Sequence, residues 1–175
     1  MKGIIVYKSK TGFTQRYAQW LQEETQFDLK RLEDLSPAAL SGYETVIFGG
    51  RLHAGRVDGL KKLLGLVRGQ RLLIFATGAS PAEATALTEG MWAENLTPEQ
   101  LQAIPHFYLQ AGLNYERMGL ADRLMMKVFA SMMRKKKDKT PEDMEMAKAI
   151  SQSYDLSSKE HIAPLLECLR ANGSL

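Results

Sequence analysis

Residues 3–14 read Gly-Ile-Ile-Val-Tyr-Lys-Ser-Lys-Thr-Gly-Phe-Thr, and this stretch decides the fold class. The apolar run Gly3–Tyr7 is typical of a parallel strand that is buried on both faces and therefore shows no polar alternation. A short polar segment follows, and apolar residues then recur at helical spacing after Thr14. A strand that passes through a short loop into a helix predicts the first half of a βαβ unit.

The same pattern of strand and helix continues along the chain. We predict further buried strands at 45–49, 72–76 and 107–112, and an edge strand at 27–32, where polar and apolar residues alternate. Capping signals predict two helices, one that begins at Ser80 and one that begins at Thr97. Apolar stripes predict two more. One stripe consists of Val57, Leu60, Leu64 and Val67, and the other of Ile162, Leu165, Leu166 and Leu169. The prediction is one α/β domain over residues 1–175, with a doubly wound five-stranded parallel sheet and helices on both faces.

Composition excludes several classes of protein. The chain has 175 residues, 45% of them hydrophobic and 25% charged, as in an ordinary globular domain. Its one cysteine, Cys168, excludes a disulfide scaffold and a Cys/His zinc site. No run approaches the roughly 20 apolar residues of a membrane span, and the first apolar run is too short for a signal peptide. We therefore expect a cytoplasmic protein.

The loop after the first predicted strand carries the groups of an anion site. The hydroxyls of Ser9, Thr11 and Thr14 can each donate to a phosphate oxygen, and Gly12 lets the backbone approach without a Cβ. Unpaired amides at the start of the following helix also favour an anion. The alternative is an ordinary turn whose hydroxyls cap the helix, but the position after the first strand of an α/β chain favours the anion site. The Gly-Lys-Ser/Thr and Gly-x-Gly-x-x-Gly signatures are missing, which disfavours nucleotide hydrolysis and dinucleotide binding.

These residues resemble a known family. Residues 4–14 look like the phosphate loop of the flavodoxin family, which binds flavin mononucleotide (FMN); residues 46–55 resemble its second flavin loop and 77–80 its third. The resemblance implies a flavodoxin-like fold with FMN as cofactor. It places the phosphate at Ser9, Lys10, Thr11, Gly12, Phe13 and Thr14, and the flavin ring at Leu52, His53, Ala54, Gly55, Thr77, Gly78 and Ala79.

A second resemblance lies after the last predicted strand. Residues 111–127 look like the insertion of menaquinone-dependent protoporphyrinogen dehydrogenases, which are flavodoxin-fold enzymes of heme biosynthesis. Other flavodoxin-domain proteins share this likeness. It implies an inserted segment at 113–139 and an FMN-dependent oxidoreductase as an alternative function.

Two features differ from electron-transfer flavodoxins. Those proteins commonly stack the flavin on aromatic side chains, whereas this chain offers only His53 and no aromatic residue between Thr77 and Leu87. They are also usually acidic, whereas the isoelectric point here is about 8.9. His53 either contacts the ring or is an exposed loop histidine without a role.

The predicted helix 119–134 has an unusually wide apolar face. Two stripes lie side by side, one of Ala121, Leu124, Met125, Val128 and Met132 and one of Met126, Phe129, Ala130 and Met133. Either the following segment buries both stripes, or they form a surface for a lipid, a quinone, a porphyrin or a protein partner. Eight basic and two acidic residues between Arg117 and Lys139 give this region a net charge of +6. We expect the segment to serve partner or membrane-surface contact and to be unnecessary for flavin binding.

Three hypotheses about function follow. The first is an FMN-binding redox protein that transfers electrons, through a partner protein, or oxidises a small organic substrate. The second is a protoporphyrinogen dehydrogenase-like enzyme with a quinone or porphyrin-like substrate, peripheral to the inner face of the membrane. The third is a flavin-free binding module on the same fold. Nucleic acid is not predicted, because no aromatic interleaving or known module accompanies the basic run.

Overall fold

The computed structural model describes residues 2–81, 85–138 and 140–173, and a mostly parallel sheet lies at its centre. The described strands are β1 (Gly3–Lys8), β2 (Asp28–Arg31), β3 (Thr45–His53), β4 (Arg56–Val57), β5 (Arg71–Gly78), β6 (His106–Gln110), β7 (Gly112–Leu113) and β8 (Tyr154–Asp155). Five of them are parallel in the order β2-β1-β3-β5-β6. This arrangement confirms the predicted doubly wound α/β fold.

Helices cover both faces of the sheet. The described α-helices are α1 (Phe13–Thr25), α2 (Leu60–Leu64), α3 (Thr85–Asn95), α4 (Pro98–Ala103), α5 (Leu120–Lys135), α6 (Pro141–Ala149) and α7 (Ala163–Ala171). Successive strand residues point to opposite faces. Ile4 and Phe48 pack in the cluster that contains α2 and α3, whereas Ile5 and Ile47 pack in the cluster that contains α1 and α7. The continuous apolar runs in the sequence follow from this two-sided burial.

Two predicted elements differ in the structure. Val57 was predicted in a helix with Leu60, but it lies in β4, which pairs antiparallel with the end of β3, and α2 begins only at Leu60. This adds a sixth strand to the predicted five. The predicted strand 107–112 ends at Gln110 in the central sheet, and Gly112 belongs to a separate ribbon with β8.

Two capping signals have different outcomes. The Thr97 cap is confirmed, because Thr97 and Gln100 bond reciprocally to each other's backbone N–H. The signal at Ser80 runs into residues 82–84, which lie outside the described residues.

An insertion separates β6 from α7. It contains β7, α5, α6 and β8, and it therefore continues past the predicted range 113–139. A small core of its own forms where Leu113, Ala130 and Ile150 meet. No helix in the described part of the chain combines the length and the apolar character that crossing a bilayer requires.

Candidate functional site

The candidate site lies at the carboxyl ends of the central strands. Strand order reverses between β1 and β3, which is where ligands bind in open α/β sheets. The register places Lys8 beside Gly50, and Arg51 beside Thr77. The three loops predicted to bind flavin therefore begin at the same edge of the sheet.

The first loop is shaped by Gly12. Its φ of 100° lies in the left-handed region, and its N–H donates to Ser9 Oγ over 3.2 Å. Helix α1 begins at the next residue, Phe13, whose side chain is buried, so only its backbone can face a ligand. Amides of the first helical turn, together with the hydroxyl of Thr11, form a donor set suited to phosphate.

A buried hydrogen bond ties the first loop to the third. Thr14 Oγ1 lies 2.7 Å from Thr77 Oγ1, and both side chains are buried. Since each hydroxyl can donate or accept, Thr77 can donate to Thr14 and leave the Thr14 proton for a ligand. The sequence predicts both threonines at the site but not their contact, which joins residues 63 positions apart.

The second loop is the tip of a β-hairpin. Ala54 and Gly55 connect β3 to β4, and both have positive φ, at 48° and 76°. Asn95 at the end of α3 holds the hairpin: its Nδ2 donates to Gly55 O over 2.7 Å, and its Oδ1 accepts from Val57 N over 2.9 Å. Leu52 and His53 are the last two residues of β3, so the strand sets the position of the backbone predicted to frame a ring.

Asp122 provides a buried carboxylate at this edge of the sheet. It lies in the first turn of α5, is 8% exposed, and accepts from Lys10 Nζ at 2.9 Å and Arg51 Nη1 at 3.1 Å. Arg51 also donates through Nε to Asp58 over 2.8 Å. The hydrogen bond from Lys10 is the main cause that holds the pKa of Asp122 below its usual value.

His53 belongs to the same charge cluster. Its Nε2 lies 3.2 Å from Asp122 Oδ1, an ion-pair distance, yet among the described residues this buried atom has no partner with hydrogen-bond geometry. The contact is therefore a close approach to the carboxylate without a hydrogen bond. The rest of the side chain is partly exposed, so His53 can face a ligand while its inner nitrogen faces Asp122.

Charged residues at this edge have partners that the sequence did not predict. Lys10, predicted to hold a phosphate, directs its ammonium to Asp122. Asp122 is buried and pairs with Arg51, and neither residue was predicted as a cofactor ligand. Proximity of these residues is not visible in the sequence, because 71 positions separate Arg51 from Asp122.

The two apolar stripes of α5 have different surroundings. Leu124, Val128 and Met132 of the first stripe are 63%, 51% and 66% exposed. In the second stripe Ala130 is buried and Met126 and Met133 pack against the insertion core, although Phe129 is 47% exposed. The interpretation that the following segment buries both stripes is wrong for the first.

Comparison with known proteins gives one family and several similar folds. Residues 4–140 match the family described as Flavodoxin domain. A flavodoxin from the domain Archaea is 16% identical, with 86% of this chain and 94% of that chain covered and a TM-score of 0.39. Flavodoxin 2 from Bacillus cereus is 20% identical, with 63% of this chain and 86% of that chain covered and a TM-score of 0.40. The two-electron reduced flavodoxin of Megasphaera elsdenii is 15% identical, with 85% of this chain and 98% of that chain covered and a TM-score of 0.43. No curated protein matches the sequence.

Proposed function

Since the chain belongs to the flavodoxin domain family, we propose that it binds FMN and acts as a redox protein, transferring electrons or oxidising a small organic substrate. The observation that carries this proposal is the loop between β1 and α1. Its donors face the carboxyl edge of the sheet at the point where strand order reverses. Gly12 in the left-handed region keeps that loop open to an anion.

The donor set fits the phosphate and ring of FMN. Ser9, Thr11, Thr14 and the first amides of α1 hold the phosphate, and the Thr14–Thr77 bond fixes the distance between the first and third loops. Residues 52–55 and 77–79 frame the ring through backbone groups. Bound flavin supplies the electron-transfer chemistry, while the protein orients it, limits its access to water and sets the charge around it.

The first experiment is an absorption spectrum of the purified protein, followed by titration with FMN. Bound flavin generally absorbs at about 375 and 450 nm, and we expect the purified protein to show both peaks because the cofactor carries its redox chemistry. A protein that is colourless as purified and does not bind added FMN would favour the flavin-free binding module.

Replacing His53 by alanine is expected to shift the reduction potential of bound flavin while leaving affinity for the phosphate largely intact. His53 lies at the end of β3 with its Nε2 3.2 Å from Asp122 Oδ1, so its loss changes the polar groups near the ring. Potentiometric titration measures the shift, and FMN titration gives the affinity. His106→Ala is the control, because His106 bonds to Ile104 O at the opposite end of the sheet. If the reduction potential of the bound flavin is unchanged, His53 is a loop residue without a role at the ring.

A second candidate is an enzyme of the protoporphyrinogen dehydrogenase type, and the exposed stripe of α5 favours it. Leu120, Leu124 and Met132 of α5 are all exposed, Leu120 to 84%, and exposed cations lie at the end of the same helix. We propose that this face binds an anionic membrane surface, where apolar side chains enter the interface and cations meet the headgroups. Assays with protoporphyrinogen and a quinone test the enzymatic part separately.

Removing the cations at the C-terminal end of α5 and just beyond it is expected to weaken binding to anionic liposomes at least roughly tenfold, since each contributes up to about 1 kcal/mol before screening. The variant replaces four residues by glutamine: Arg134, Lys135, Lys136 and Lys137. Sedimentation with anionic and neutral liposomes measures binding, and flavin content is followed in parallel.

The matched control replaces four exposed cations outside the insertion by glutamine: Lys30, Lys61, Lys62 and Arg68. This control is expected to bind liposomes like the natural sequence. Equal losses in both variants would mean that net charge, rather than the α5 face, attracts the protein to the membrane. If the natural sequence never binds liposomes and oxidises no porphyrinogen, the insertion is a structural cover and the electron-carrier function is favoured.

A further inference from the structure

A cation of the insertion lies directly at the first loop. A Cβ placed on Gly12 would come within 2.7 Å of Nη1 of Arg117, so the guanidinium occupies the space that this glycine leaves open. Asn114 holds the base of Arg117, because the Arg117 N–H contacts both Asn114 Oδ1 at 3.1 Å and Asn114 O at 3.3 Å. The turn at 114–117 therefore presents the arginine toward the loop.

The charge of Arg117 is uncompensated, in contrast to that of its neighbours. Lys10 is paired with Asp122, Arg16 with Asp155, and Arg51 with both Asp122 and Asp58. Within residues 2–81, 85–138 and 140–173, the guanidinium of Arg117 makes no hydrogen bond and no ion pair. All five donors of its guanidinium are therefore available to an anion.

There is room for an anion beside it. A cleft of about 580 Å³ runs between α1 and the insertion, and its lining includes Thr11, Gly12, Asn114 and Arg117. Two carboxylates also line the cleft, those of Glu116 and Asp155, and the second is paired with Arg16. On the side of α1 the cleft is lined by Thr11 and Gly12 of the first loop. An oxyanion there can reach both the loop and the arginine.

We propose that Arg117 is a phosphate ligand of the flavin site, so that the insertion supplies the charged group of the cofactor site. This proposal rests on the proposed FMN function. A planar guanidinium can bind two phosphate oxygens at once, whereas Lys10 is held away by Asp122. The segment 113–139 then serves flavin binding directly, in contrast to the expectation from sequence that it is dispensable for it.

The test compares FMN with riboflavin, which lacks the phosphate. Quenching of flavin fluorescence gives the dissociation constants for the natural sequence, Arg117→Gln, Arg117→Lys and the control Lys127→Gln. Lys127 is an exposed cation of α5, so its replacement makes the same charge change elsewhere in the insertion. We expect Arg117→Gln to weaken FMN binding roughly 10- to 100-fold, as for a lost charge-assisted hydrogen bond, and to leave riboflavin binding within about twofold. Arg117→Lys should retain part of the affinity for FMN, because lysine keeps the positive charge. It should not retain all of it, because lysine lacks the planar guanidinium that binds two phosphate oxygens at once.

The outcomes separate this proposal from the function on which it rests. If Arg117→Gln binds FMN as tightly as the natural sequence, or loses riboflavin equally, Arg117 is not a phosphate ligand although the protein is still a flavin protein. A loss of the same size in Lys127→Gln would likewise overturn the proposal in favour of a general charge effect. If the natural sequence binds neither FMN nor riboflavin, both proposals fail. Circular dichroism confirms that each variant is folded.

Discussion

Replacing Thr11 and Thr14 together by alanine is expected to weaken FMN binding by about 3–6 kcal/mol, because each lost hydrogen bond to a charged phosphate costs roughly 1.5–3 kcal/mol. Riboflavin binding should fall far less, since it depends on the ring site at residues 52–55 and 77–79. Isothermal titration calorimetry with both ligands measures the difference. Equal losses for the two ligands would show that the loop at 9–14 does not hold the phosphate.

The two threonines are separable in this experiment. Thr11 lies in the loop and lines the cleft, whereas the buried Thr14 hydroxyl is bonded to Thr77. Thr14→Ala therefore also loosens the contact between the first and third loops, and it should cost some riboflavin affinity that Thr11→Ala does not. The controls are Thr11→Ser and Thr14→Ser, which keep the hydroxyls and should keep most of the affinity.

Replacing Asp122 by alanine is expected to lower the free energy of unfolding by about 3 kcal/mol. This is the lower end of the cost of breaking a buried ion pair, chosen because Lys10 is half exposed and water compensates part of its charge. The variant leaves Arg51 with only Asp58, and it removes the carboxylate beside His53. For a chain of this size, the melting temperature should fall by roughly 6–12 °C.

Asp138→Ala is the matched control, because Asp138 is an exposed carboxylate of the same insertion. It should change the melting temperature little, since single exposed charges contribute up to about 1 kcal/mol. If Asp122→Ala melts like the control, the cluster around Asp122 does not stabilise the fold.

The pKa of Asp122 also predicts how this stabilisation depends on pH. The folded-state pKa lies below the ordinary value, so the unfolded chain takes up a proton at a higher pH than the folded one. The contribution is therefore fully present above the unfolded pKa of about 3.9 and is lost as the pH falls through the folded pKa. Urea unfolding measures the free energy of unfolding of the natural sequence and of Asp122→Asn as a function of pH. The difference between the two should be constant near neutrality and should shrink in acid.

Local patterns were sufficient to predict the five parallel strands of the central sheet and the loop that follows β1. The apolar runs of β1 and β3 are continuous because helices cover both faces of the sheet, so every residue of these runs is buried and apolar residues follow one another in the sequence. Glycine at position 12 and hydroxyls around it likewise predict an anion loop from chemistry that lies within a few residues. Thr97 and Gln100 predicted a cap for the same reason.

Elements that depend on a distant neighbour were not predictable in this way. Val57 fits a helical stripe as well as a strand, and only its pairing with Leu52 in the hairpin makes it β4. The run at 107–112 is continuous in sequence, yet Gly112 leaves the central sheet because its strand pairs with β8. Short apolar segments carry no information about which partner they will meet.

The sequence by itself therefore determined the α/β class, the five parallel strands of the central sheet and the loop that follows β1, because each is set by periodicity or chemistry within one short segment. Only the tertiary structure decided which charges meet at that loop. Asp122 carries no local mark of burial, and it becomes the centre of a cluster because the chain folds α5 back over Lys10 and Arg51. Arg117 is one cation among many in the sequence, and its position over Gly12 singles it out. Electrostatic partners are chosen by distance in space, and that distance is fixed only when the insertion packs against the sheet.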